Sequence, residues 1–322
     1  MIGQKRLLWL DCAKALAMIA VVFSHEFSSI GFLVVLCNSF MLPLFFMCSG
    51  FCLSPGKYSM NEYIKRKSKS LLLPYFALGL IVSLLHIGIS GIGEVVQNIE
   101  KELFSWQTLW FLPVLFFADI ILYGFLSKSR KILFMNVSVG LVSLIIGIVF
   151  CKLGFSIFVD LCVVPIAMFY LSVGYVIKKL FGIQAISNKL MLGSCILVFG
   201  LVVMVVTKEN LVLKFNDIWP ISKLAFSTME GVGIMLILSS IITSPILHKF
   251  HFNIHLLVYI GKNTMVIFAF HMPVFFYSQA YIRPIFTNQF YYKPIEFILI
   301  WGICLMLIPL FNRYVPVLIG KK

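Results

Sequence analysis

The sequence predicts an all-α fold: a polytopic membrane helix bundle of about ten transmembrane helices, forming one domain over residues 1–322. Three observations carry this. The chain is 61% hydrophobic and only 12% charged, with a mean hydropathy of +1.03, far more apolar than a soluble domain. Apolar runs of about 20 residues, each able to cross a hydrocarbon core of about 30 Å, follow one another and leave no room for a soluble unit. The formal charge of +14 comes from basic residues in short segments between those runs, where they set orientation, and so does not point to nucleic acid. The eight cysteines lie mostly inside the runs with no CxxC pair or metal-like spacing, so neither a disulfide framework nor a metal site is expected.

The first span covers about residues 7 to 29 and the second about 32 to 54, joined so tightly that they form an antiparallel hairpin. The first carries internal charges and lacks a small-residue cleavage site, so it is expected to be retained rather than removed as a signal peptide. Residues 56 to 70 hold Lys57, Lys65, Arg66, Lys67 and Lys69, the strongest positive-inside signal in the chain. Span three (about 71 to 90) leads to a loop with Glu94, Glu100 and Glu102, and span four (about 108 to 127) opens at the outer surface. Spans five (132 to 150), six (156 to 177), seven (190 to 207), eight (224 to 243), nine (256 to 276) and ten (294 to 312) complete the bundle. Seventeen Lys and Arg fall on the inner segments against seven on the outer ones, which places both termini in the cytoplasm. No internal repeat is evident, which disfavours inverted-repeat transporter architectures.

Within the first span, Asp11, Lys14 and His25 are costly in lipid, and such residues usually face a protein interior or a wet cavity. At about 100° per residue, Lys14 and His25 differ by only about 20° around the helix, with Asp11 on the same side, so the three form one polar stripe. Lys14 lies toward the inner face and His25 about 16 Å higher. The hairpin places residues whose numbers sum to about 60 at one depth, pairing His25 with Asn38 and Lys14 with Ser49. Ser49 and Gly50 either allow close helix packing or line an opening to the cytoplasm with Lys14.

Trp110, opening span four, is either an interfacial anchor or a stacking surface for a sugar. His271 in span nine approaches the depth of His25, and two histidines at one depth make a plausible acid/base site. Glu230 in span eight is another intramembrane carboxylate, and Asp119 and Asp160 are weaker cases. The basic run 64 to 73 is either a topological determinant or a collector of phosphates from a cytosolic donor.

An ordered set of residues carries a resemblance: Asp11-x-x-Lys14-x10-His25, Pro43-Leu-Phe-Phe-x-x-Ser49-Gly50-Phe51, the basic run into Leu73-Pro74-Tyr75, Trp110-Phe111-Leu112-Pro113, and Gly261-Lys262-Asn263-Thr264 before His271. Together they resemble the acyltransferase-3 family of integral-membrane acyltransferases, especially its sugar O-acetyltransferase branch. Many members have arginine at the position of Lys14, and lysine gives up bidentate phosphate recognition for a point charge.

The resemblance implies transfer of an acyl group, commonly acetyl from acetyl-CoA as donor substrate with no resident cofactor, to a hydroxyl of a cell-envelope or lipid-linked glycan. It places the chain in a cell membrane, in the manner of a bacterial inner membrane. Asp11, His25 and His271 are then the candidate catalytic residues, with His25 as general base or as carrier of an acetyl group. Lys14, Ser49 and Gly50 are the candidate donor-binding residues. Asn38, Trp110 and Glu230 are the candidate acceptor-binding residues. The alternative classes are a transporter of a lipid-linked sugar or small solute and a non-catalytic membrane partner.

Overall fold

The computed structural model describes residues 6–27, 31–90, 109–153, 163–181, 189–207, 221–243, 253–286 and 288–321. Asp160 and the acidic loop with Glu94, Glu100 and Glu102 lie outside the described residues. Among the described residues all regular structure is helical. Seven helical segments are long and apolar enough to cross a membrane, a bent pair forms an eighth, and two shorter apolar helices, Phe111–Ser127 and Leu190–Val202, complete a set that matches the ten sequence segments one to one. The chain is a multi-pass membrane protein.

The hairpin is made by α1 (Leu8–Glu26) and α2 (Gly31–Cys52). Trp9 meets Phe51 edge to face with 4.9 Å between centroids, and Lys14 and Cys48 line the same cavity. Both pairs obey the antiparallel depth rule. Pro43 sits inside α2 without ending it.

The basic segment is helical rather than a loop. Helix α3 (Met60–Lys67) passes through a π turn, Ser68–Leu72, into α4 (Leu73–Ser90). Ser59 caps α3 by accepting from the Glu62 N–H, and Glu62 pairs with Arg66 one turn on, the Ser-x-x-Glu pattern that starts a helix. Tyr63 stacks on Tyr123, and Asp119 accepts from the Tyr63 hydroxyl at 3.0 Å and pairs with Lys67. Asp119 is thus an ion-pair partner that anchors α3.

Five further helices follow: α5 (Phe111–Ser127), α6 (Ile132–Lys152), α7 (Val164–Phe181), α8 (Lys189–Thr207) and α9 (Ile221–Thr243). Helices α2 and α7 cross on a reciprocal pair of glycines. A Cβ at Gly50 would lie 1.9 Å from the Leu171 carbonyl oxygen, and one at Gly174 would lie 2.0 Å from that of Met47. Small residues let helix backbones approach this closely in lipid.

The ninth span is broken, contrary to the continuous helix expected over 256 to 276. Helices α10 (His255–Lys262) and α11 (Thr264–Tyr281) meet at 81°. The break falls at Asn263, whose side-chain amide donates to the Tyr259 carbonyl at 2.7 Å, a local bond that competes with helix continuation. Helix α12 (Gln289–Tyr314) and a 3₁₀ turn, Pro316–Ile319, end the described chain.

Helix α1 is the hub. It packs against α2, α9, α10, α11 and α12, and most of its residues are buried. Alanines 13, 15, 17 and 20, all at most 3% exposed, leave room for these neighbours.

Candidate active site

The stripe on α1 has two ends, and each organises a different environment. At the N-terminal end, Asp11 is buried and accepts from Arg6 Nε at 2.6 Å and from a second guanidinium nitrogen at 3.1 Å, a bidentate pair. Lys14 Nζ lies 4.0 Å from Asp11 Oδ1, the oxygen that also accepts from the second guanidinium nitrogen. Helix α10 reaches this point because Gly261 has no side chain: a Cβ there would stand 1.8 Å from the Asp11 carbonyl oxygen. Asp11 therefore orders the basic end and is no partner of His25. Fourteen residues of helix, about 21 Å, separate them.

A cavity of about 450 Å³ opens beside this cluster. Arg6, Lys14, Lys262 and Lys321 supply its charge, Ser49 lines it from α2, and Phe45, Phe111 and Phe268 form its apolar side. The expected proximity of Lys14 and Ser49 is found, whereas Gly50 is turned to the α2–α7 crossing and does not line the cavity. Asn263, at the break between α10 and α11, accepts from Asn312 at 2.9 Å and from Lys321 at 2.5 Å, tying the last described residues into the wall.

At the far end, His25 and His271 face each other with 5.4 Å between ring centroids. The two behave differently. His271 is buried, and its Nδ1 lies 3.1 and 2.9 Å from the Ile267 and Phe268 carbonyl oxygens. Carbonyls only accept, so Nδ1 carries the hydrogen and Nε2 keeps a bare lone pair. That Nε2 is buried and has no hydrogen-bond partner among the described residues. His25, by contrast, is accessible from outside the chain.

An aromatic wall links the two ends. Phe268 lines the cavity and stands 6.1 Å, centroid to centroid, from His271 on its own helix. Phe111 packs on Phe268, Phe45 and Phe46.

These contacts correct the position expected for Trp110. It precedes Phe111 at the start of α5, and Phe111 packs on Phe45 and Phe46, so Trp110 stands about two thirds of the way along α2 from Gly31 rather than level with the Gly31 end. Glu230 is buried and accepts from the Ser39 hydroxyl, so in this structure it ties α9 to α2. Asn38, beside Ser39, is half-buried.

Sequence reasoning missed Arg6 and Lys321 as cavity residues, because both counted only as terminal topological charges. It missed Ser39 as the partner of Glu230 and Phe268 as the link between the cavity and the histidines.

An acyltransferase domain of the acyltransferase-3 type matches residues 7–311, nearly the whole chain. The chain belongs to the acyltransferase-3 family. Neither a curated protein nor a solved structure matches it. Members of the family are membrane acyltransferases, so this chain is an enzyme with an acyl donor and an acceptor, which sets it apart from the transporter and the non-catalytic partner considered above.

Proposed function

We propose that this acyltransferase moves acetyl from acetyl-CoA to a hydroxyl of a cell-envelope or lipid-linked glycan, with His25 as general base. The observation that carries the reading is the single stripe on α1, with a basic cavity at one end, a histidine pair at the other and an aromatic wall between them. The phosphates of the donor suit Arg6, Lys14 and Lys262, and the basic end then faces the cytosol, as the distribution of Lys and Arg requires. The thioester arm runs along Phe111 and Phe268 toward His25.

In the reaction, the acceptor oxygen bonds to the thioester carbonyl carbon, its proton passes to His25, and the carbon–sulfur bond breaks to release the CoA thiolate, which takes up a proton. His25 is the base because it is the accessible histidine. With substrate bound, the bare Nε2 of His271 accepts a hydrogen bond that orients the second imidazole or the acceptor.

Membranes containing the protein should consume acetyl-CoA and add an acetyl mass increment to an added glycan acceptor. Movement of unmodified glycan without acetyl-CoA consumption would overturn the reading. Asp11→Asn should release Arg6 from its bidentate pair and raise KM for acetyl-CoA by about three- to tenfold with kcat retained. A fall in kcat at unchanged KM would instead place Asp11 in the chemistry.

A further inference from the structure

A second cavity of about 610 Å³ adjoins the first and shares Cys52, Gly320 and Lys321 with it. Its wall carries Lys57, Arg66, Lys67 and Lys69. Arg66 is paired with Glu62 and Lys67 with Asp119, while Lys57, Lys69 and Lys321 have no carboxylate within ion-pair distance among the described residues. The combined space is a basic chamber of two lobes, and Lys321 is the one cation, among the described residues, that lines both.

Lys321 is held in place. Gly320 has φ +72°, a conformation that disfavours other residues, and a Cβ there would lie 2.7 Å from the Ser70 carbonyl oxygen. The Lys321 amide donates to the Pro316 carbonyl at 2.9 Å, and Ile319 is buried. The ammonium donates to Asn263 at 2.5 Å and Asn312 at 2.7 Å, two neutral acceptors that leave a third N–H without an acceptor among the described residues. Burial, and then the nearby charges of Arg6 and Lys262, hold its pKa below the ordinary lysine value, so an anion at this point would relieve a real repulsion.

We propose that Lys321 is a specificity-determining residue that grips the diphosphate of the donor at the throat between the lobes, with the nucleotide in the second lobe and the pantetheine arm in the first. This rests on acetyl-CoA as donor. The geometry favours a ligand with negative charge at its middle and at one end: Lys57 and Lys69 wait in the second lobe, and the first lobe turns apolar toward Phe268. A phosphate-free thioester would fill the first lobe and make none of the contacts in the second.

The test compares purified full-length protein acting on acetyl-CoA and on S-acetylpantetheine, which carries the same thioester without phosphates. The wild type should prefer acetyl-CoA in kcat/KM. In Lys321→Ala and Lys321→Gln that preference should fall about tenfold through KM for acetyl-CoA, the loss expected for one charge-assisted hydrogen bond. Lys321→Arg should keep most of it. Lys69→Ala, exposed and confined to the second lobe, should lower the preference in the same direction.

An equal loss with both donors in the Lys321 variants would mark a purely structural strap and overturn the proposal. So would an unchanged preference, or a wild type that does not distinguish the two donors. A wild type that consumes no acetyl-CoA at all would instead overturn the donor assignment. If phosphatidylglycerol vesicles abolish the preference while neutral vesicles keep it, the second lobe takes lipid headgroups, and the proposal fails on that count.

Discussion

Replacing His25 with alanine is expected to lower glycan acetylation by about 10²–10⁴-fold, the range that a positioned general base contributes. The size of the effect follows from the site having one accessible histidine. His271 is buried with its Nδ1 hydrogen spent on two backbone carbonyls, so it cannot swing into the place of His25. The fold should survive the substitution, because the His25 side chain is accessible and removing it opens no core cavity, whereas its neighbours Ser24 and Glu26 are buried. Acetyl transfer measured in membranes, alongside the amount of inserted protein, checks both statements. Full activity in the variant would remove His25 from the chemistry.

His271→Gln separates the roles of the two rings. Glutamine keeps a hydrogen-bonding group at the site but cannot exchange a proton near neutral pH. If His271 only orients its neighbour, this variant should retain far more activity than His25→Ala. Labelled acetyl trapped on the protein without acceptor, and lost in His25→Ala, would instead assign an acyl-histidine step.

What the sequence disclosed here followed from costs that a single helix or hairpin incurs. Asp11, Lys14 and His25 stood out because ionisable groups in an apolar run need an explanation. The facing of α1 and α2 followed from a tight turn, and Trp9–Phe51 and Lys14–Cys48 both obey it. The proximity of His271 to His25 needed a third element, α11, at the right height, and the structure supplies it.

The features that stayed hidden depend on tertiary contacts. Asn263 reads as an ordinary polar residue until its amide is seen on Tyr259 and its carbonyl on Asn312 and Lys321, which explains both the break in the ninth span and the wall it forms. Arg6 and Lys321 read as terminal charges because nothing local says that the two ends of the chain meet at one cavity. Helix α3 was legible in principle, since Ser59 and Glu62 form a capping pattern, but the charge run that follows reads first as a topological determinant. The depth of Trp110 was hidden because only the packing of Phe111 on Phe45, Phe46 and Phe268 fixes the level at which α5 begins.

Gly261→Ala should be the most damaging small substitution at the basic end. The added Cβ would lie 1.8 Å from the Asp11 carbonyl oxygen, 2.5 Å from its carbonyl carbon and 2.9 Å from its Cα. Those atoms are backbone inside a buried helix, so no flexible side chain can yield, and the strain belongs at or above the upper end of the roughly 1–3 kcal/mol typical of overpacking. The relief available is for α10 to back away from α1. That motion carries Lys262 and Asn263 outward, loosens Lys321 through Asn263, and disturbs the backbone that holds Asp11 against Arg6 and Lys14. One methyl group should therefore lower thermal stability in detergent and raise KM for acetyl-CoA together. Gly302→Ala on α12 is the matched control, because a Cβ there meets nothing within 4 Å and should leave both quantities unchanged. If Gly261→Ala melts and turns over like the wild type, α10 does not depend on this contact for its seat on α1, and the donor cavity is not assembled through it.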